Sequence, residues 1–194
     1  MTVIRVEPTS VQQYGRQAQA TFDQMHRALS ELVRDVVLVR YAGPNAVGFK
    51  TDCGRLAVDF AVRLHADLAT IAEAVRTSTS NIATALGGQP IQLRVDARPI
   101  VPPTPEVVDF VDVDTSALEA LVPIIARCFG ELRAQLSAHL ECLRVTDWEG
   151  HAKSVVVDRV AGVTASARNT CDVSEQALST FVRQQVRSVE LADR

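Results

Sequence analysis

Tyr41-Ala42-Gly43 and Trp148-Glu149-Gly150 are one turn written twice, 107 residues apart. The match continues upstream at the same offset. Phe22 falls on Phe129, Met25 on Leu132, Leu29 on Leu136 and Ser30 on Ser137. One residue out of register, Thr9-Ser10 falls on Thr115-Ser116. A self-match at a fixed offset divides the chain into two similar units of about 90 residues each. Each turn supplies an aromatic that can anchor a chain reversal and a glycine free to take positive φ.

The segments around each turn read as helices. Val11, Tyr14, Ala18, Phe22, Met25, Leu29, Leu32, Val36 and Val39 recur at steps of three and four, the pattern of one apolar stripe. Thr9 or Ser10 is the expected cap, with Pro8 as the boundary. A second helix is predicted from about Asn45 to Leu86, striped by Phe49, Cys53, Leu56, Phe60, Leu64, Leu68, Ile71, Val75, Ile82 and Leu86 and ended by Gly87-Gly88. A third begins near Thr115-Ser116, with Pro123 predicting a kink or a late start. Its stripe is Leu118, Leu121, Ile125, Cys128/Phe129, Leu132, Leu136, Leu140 and Leu143. A fourth carries Val156, Val160, Val163, Ala167, Cys171, Leu178, Phe181/Val182, Val186 and Val189. Helices with a single stripe are not stable alone. The expected fold is mainly all-α: an elongated four-helix bundle made of two helix-turn-helix hairpins. The hairpins cover 1–88, with the turn at 41–44, and 115–194, with the turn at 147–150.

Residues 89–114 form the linker. Pro90, Pro99, Pro102, Pro103 and Pro105 divide it into short alternating pieces, Ile91–Val95 and Val107–Val113. Either it is an irregular connector, or it holds one or two short strands with which Val3 to Val6 would pair.

Bulk composition narrows the function. A net charge of -3 with scattered arginines gives no reason to expect nucleic acid or an anionic membrane as partner. Apolar runs such as Val36–Val39 and Leu121–Ala126 are too short to span a bilayer, so no transmembrane segment is expected. The first residues lack a basic-then-apolar export signal. Aromatics make up only 5% of the chain, which leaves little for a large ligand to stack on.

A helix, a Trp-x-Gly turn and a longer helix, about 90 residues in all, resemble the WxG (Esx-like) helical-hairpin family of type VII secretion. Val6-Glu7-Pro8 ahead of the first helix also resembles secretion-associated relatives of that family. Tyr41 stands where the family has Trp. Its Tyr-x-x-x-Asp/Glu export element has no match, since Tyr14 and Tyr41 are followed at that spacing by Ala18 and Asn45. The resemblance implies two hairpins fused in tandem, a pseudo-dimer within one chain with antiparallel pairing; the length of residues 89–114 by itself permits a parallel arrangement as well. It also implies export, or residence in the cell envelope, without a cleaved signal peptide. Partners would be the secretion machinery or another helical-hairpin protein.

Candidate site residues follow. Trp148 and Gly150, with Tyr41 and Gly43, are the recognition candidates; the structural alternative is that each aromatic plugs a bundle end. Cys128 and Cys171 sit symmetrically about Glu149-Gly150 on the two stripes and are either a disulfide or two buried thiols. Cys53 and Cys142 read as further thiols. The same hairpin arithmetic sets His26 opposite Asp59. No cysteine or histidine spacing fits a metal site, no nucleophile–base pair is legible, and no cofactor is expected. The expectation is a non-enzymatic, secretion-associated protein acting by protein–protein recognition. The alternatives are a cytosolic adaptor or chaperone for exported hairpins, a small enzyme or metal-binding bundle, and a helical module unrelated to secretion.

Overall fold

The structure, a computed structural model, describes residues 4–96 and 98–192, less the side chains of 85 and 86. Four helices carry it: α1 Pro8–Leu38, α2 Pro44–Leu86, α3 Thr115–Val145 and α4 His151–Ala192. Four two-residue strands punctuate them: β1 Arg5–Val6, β2 Tyr41–Ala42, β3 Asp112–Val113 and β4 Trp148–Glu149. Each element of the second half begins 107 residues after its counterpart, so the repeat is one of backbone as well as of sequence. The protein is an all-α four-helix structure. Among the described residues no helix is long and apolar enough to cross a membrane.

The stripes account for the core. All nine positions from Val11 to Val39 are buried. On the other helices the stripe is buried or half-buried throughout, except that the Leu86 side chain lies outside the described residues. Helix starts differ from the expected caps. Pro8 is the first residue of α1, where its missing N–H costs nothing. Glu7 is the cap, its carboxylate accepting from the N–H groups of Thr9 and Ser10. Asp114, the equivalent of Glu7, accepts from Ala117 N–H at 3.1 Å. α3 runs unbroken through Pro123, so the late start does not occur.

The strand pairing also differs from expectation. β1 pairs with β4, not with the linker, and β3 pairs with β2. Val3 lies outside the described residues. Ile91–Val95 is not a strand, although Ile91 and Leu93 are buried. Side chains of α1 and α2 take the place of a partner strand. Ile91 N–H donates to Thr79 Oγ1 at 3.2 Å, and the Gln19 amide both accepts from Arg94 N–H and donates to Arg94 O. The peptide groups are thereby satisfied without a ladder. Gly15 leaves room for this approach: a Cβ there would lie 2.9 Å from Ile91.

The chain forms two compact units. The first joins Met1–His26, Leu64–Ala97 and Arg133–Asn169; the second joins Arg27–Arg63, Arg98–Leu132 and Thr170–Arg194. Each takes part of every helix, so neither coincides with one hairpin. In the first, the start of α1 meets the end of α3, with Tyr14 and Phe22 against His139. In the second, the end of α1 meets the start of α3, where the Cys128 thiol donates to Ala28 O at 3.6 Å. Phe60 packs on Phe129 there, with ring centroids 4.6 Å apart, and Phe49 stacks on Phe181.

Candidate functional site

The two turns are built alike. After α1, Tyr41 N–H donates to Val39 O at 2.8 Å; after α3, Trp148 N–H donates to Thr146 O at 2.8 Å. Gly43 and Gly150 both take φ 128°, a conformation that side chains with a Cβ rarely adopt. The next helix starts directly, with Ala46 N–H on Gly43 O and Lys153 N–H on Gly150 O.

So tight a reversal leaves strand-like peptide groups without a local partner. The segment ahead of the other hairpin's first helix supplies one. Val6 faces Trp148 and Arg5 faces Glu149; Val113 faces Tyr41 and Asp112 faces Ala42. Further bonds run from Glu7 N–H to Asp147 O and from Asp114 N–H to Arg40 O. Arg5 lies 3.7 Å from Asp147, and Arg40 lies 3.4 Å from Asp112. These oppositely charged positions, at equal offsets in the repeat, were the sequence signal for the pairing.

Both turn aromatics point inward. Trp148 is 1% exposed, and its indole N–H has no hydrogen-bond partner among the described residues. Tyr41 is 6% exposed, and its hydroxyl accepts from Gln185 Nε2 at 2.9 Å. Burial raises the Tyr41 pKa above that of an ordinary phenol, against the lowering effect of the Gln185 bond. Neither ring is presented at the surface.

Each ring instead helps to line a groove. One groove, of about 480 Å³, is walled by Val6, Pro8, Val11, Ile82, Ala83 and Trp148. The other, of about 710 Å³, has Val113, Thr115, Val189, Glu190 and Tyr41 at the equivalent places, with Gln185 beside them. The first is lined mostly by apolar groups. In the second, Thr115 replaces Pro8 and Glu190 replaces Ala83. Ile4 and Val145 are exposed beside the Trp148 turn, and Val111 and Leu38 are exposed at the same positions beside the Tyr41 turn.

The remaining candidates resolve as follows. Cys128 and Cys171 are both buried thiols, so the possible disulfide is not formed. Cys128 turns its sulfur toward Ala28 on α1 instead, and burial pushes this thiol up to about 12. Cys53 is buried, and the Cys142 thiol donates to Gln17 Oε1 at 2.8 Å.

His26 contacts His65, with Nδ1 and Nε2 3.2 Å apart and the rings stacked, rather than Asp59. Its Nε2 is 3.5 Å from Asp96 Oδ2. The observed pairing lies six residues further along α2 than symmetry about the turn predicts, and Val37 against Gly54 shows the same shift. Burial lowers the His65 pKa, His26 adds to the effect, and Asp96 opposes it.

Sequence reasoning missed one buried polar pair. The Tyr14 hydroxyl and His139 Nε2 share a hydrogen bond of 2.9 Å. Burial pushes His139 down to about 4 and Tyr14 above the usual phenol value. A Tyr in an otherwise non-polar stripe was the available signal, because a buried hydroxyl needs a partner. Among the described residues no group of three or more His, Cys, Asp or Glu could hold a metal ion.

In comparison with known proteins, the chain matches no family model, no curated protein and no solved structure.

Proposed function

We propose that this is a non-enzymatic recognition protein of the WxG-hairpin kind, secretion-associated, in which the turn ends carry the contact with a partner. The observation that supports this reading is the duplicated turn. Both aromatic-x-Gly tripeptides form the same strand-paired reversal, and each leaves a groove beside the aromatic. With the rings buried, a partner would meet the groove walls and the exposed residues flanking the turn. Trp148 would then act from beneath, by holding the wall in place.

Export tests the reading. The tagged protein is followed in culture filtrate of its source organism with and without the type VII ATPase. ATPase-dependent release supports it; equal retention in both strains rejects the exported form.

A second reading, a cytosolic adaptor for exported hairpins, is favoured by one observation. Val62, Val155 and Val173 are large apolar residues about half exposed or more on the long helices. Co-purification of an exported hairpin protein with the retained chain would support it.

A further inference from the structure

The repeat allows each hairpin's contacts to be rewritten as though it faced a copy of itself. Tyr14 and His139 share their hydrogen bond inside the core. In the other repeat the equivalent of His139 is Leu32 and that of Tyr14 is Leu121, both buried. Two first hairpins together would set Tyr14 against Leu32 and leave the hydroxyl dry. Two second hairpins would set His139 against Leu121. Only a first hairpin against a second brings hydroxyl and imidazole together.

The junction charges follow the same rule. Arg5 and Asp112 are equivalent positions, as are Arg40 and Asp147, and the sign is reversed between the repeats. In the structure Arg5 meets Asp147 and Arg40 meets Asp112. Like with like would set Arg5 against Arg40, and Asp112 against Asp147.

We infer that these three pairs form a recognition code in the hairpin–hairpin interface. The surface of the first hairpin accepts the second hairpin, of the same chain or by exchange of a second copy, and rejects its own kind. The buried pair dominates, because a desolvated polar group left without a partner disfavours the mismatched complex at least tenfold. The exposed charges add a few-fold each at most. This inference is independent of the secretion role.

The test uses full-length chains refolded from denaturant. Arg40→Asp/Asp147→Arg reverses the code: native contacts become like-charged and like-hairpin contacts become opposite. Adding Tyr14→Leu/His139→Leu makes the layer of residues 14 and 139 apolar in every pairing. The control Arg5→Asp/Asp147→Arg/Arg40→Asp/Asp112→Arg exchanges all signs and keeps the code. Light-scattering mass and helical circular dichroism are read across protein concentration. The control is expected to match the wild type, while the four-substitution reversed variant stays helical and shifts to species of at least doubled mass. A helical reversed variant with the wild-type mass distribution at every concentration overturns the inference. Should the leucine pair prevent folding, the charge-only variant decides, since it alters exposed groups alone. A few-fold rise in multimer at low ionic strength that salt removes supports the code, and no rise rejects it.

Discussion

At the Trp148 turn the aromatic is buried, its indole N–H is unpaired among the described residues and the groove beside it is mostly apolar. At the Tyr41 turn the ring is almost as deeply buried, but its hydroxyl is tied to Gln185 and Glu190 borders the groove. The linker follows the same division. Its first part is held in the unit containing Trp148, by Thr79 and Gln19. Its second part belongs to the unit containing Tyr41 and exposes Val101, Val107, Phe110 and Val111. One backbone device therefore serves two turns with different chemistry. The strand pair and the glycine conserve geometry, and the side chains around them set polarity.

The strongest way to break this comparison is Trp148→Ala. It removes the largest fully buried side chain and is expected to cost about 3–5 kcal/mol in denaturant unfolding. Hydrogen exchange should localise the loss to residues near Val6, Pro8 and Ile82. A cost below that of Tyr41→Ala would contradict the anchoring role assigned to the indole.

Acid should weaken the Trp148 unit through His139. Its pKa is about 4 when folded and near 6.5 when unfolded, so between those values the unfolded chain binds more protons. The stability is present above pH 6.5 and lost as pH falls toward 4, by about 3 kcal/mol as an order of magnitude. His139→Leu should flatten this part of the pH–stability curve. An unchanged slope would assign the acid response to other groups.

Gly43→Ala and Gly150→Ala test the equivalence of the backbones. Both residues hold φ 128°, so each substitution should cost about 1–2 kcal/mol. Gly43→Ala carries an added strain, since its Cβ would lie 3.2 Å from Val111. Tyr41→Phe sharpens the polarity difference: loss of the Gln185 bond should cost about 1 kcal/mol in thermal or urea unfolding. Smallest of all, Arg5→Ala and Arg40→Ala should each change stability by less than about 0.5 kcal/mol, because these bridges are solvent-exposed. A larger effect in either would reveal a coupled network at that turn.

The sequence by itself determined the helices, the turns and the two-fold repeat. These rest on local rules: a stripe at helical spacing must face a core, a Gly suits the turns where φ is positive, and a Pro suits the first turn of a helix, as Pro8 and Pro44 do. The apolar stripe from Val11 to Val39 therefore read correctly residue by residue. Glu7 as the cap of α1 was displaced only slightly from the expected Thr9/Ser10, and α3 begins at Thr115 as expected. Tertiary structure alone decided what each element meets. The strand partners of Tyr41 and Trp148 come from far along the chain, and α1 against α2 settled six residues away from simple turn symmetry. That shift replaced Asp59 with His65 opposite His26. The possible cystine also failed to form, and Cys128 faces Ala28 instead. Periodicity states which face of a helix is buried. The register between two buried faces depends on how their side chains interlock, and that is settled only when both surfaces are packed together.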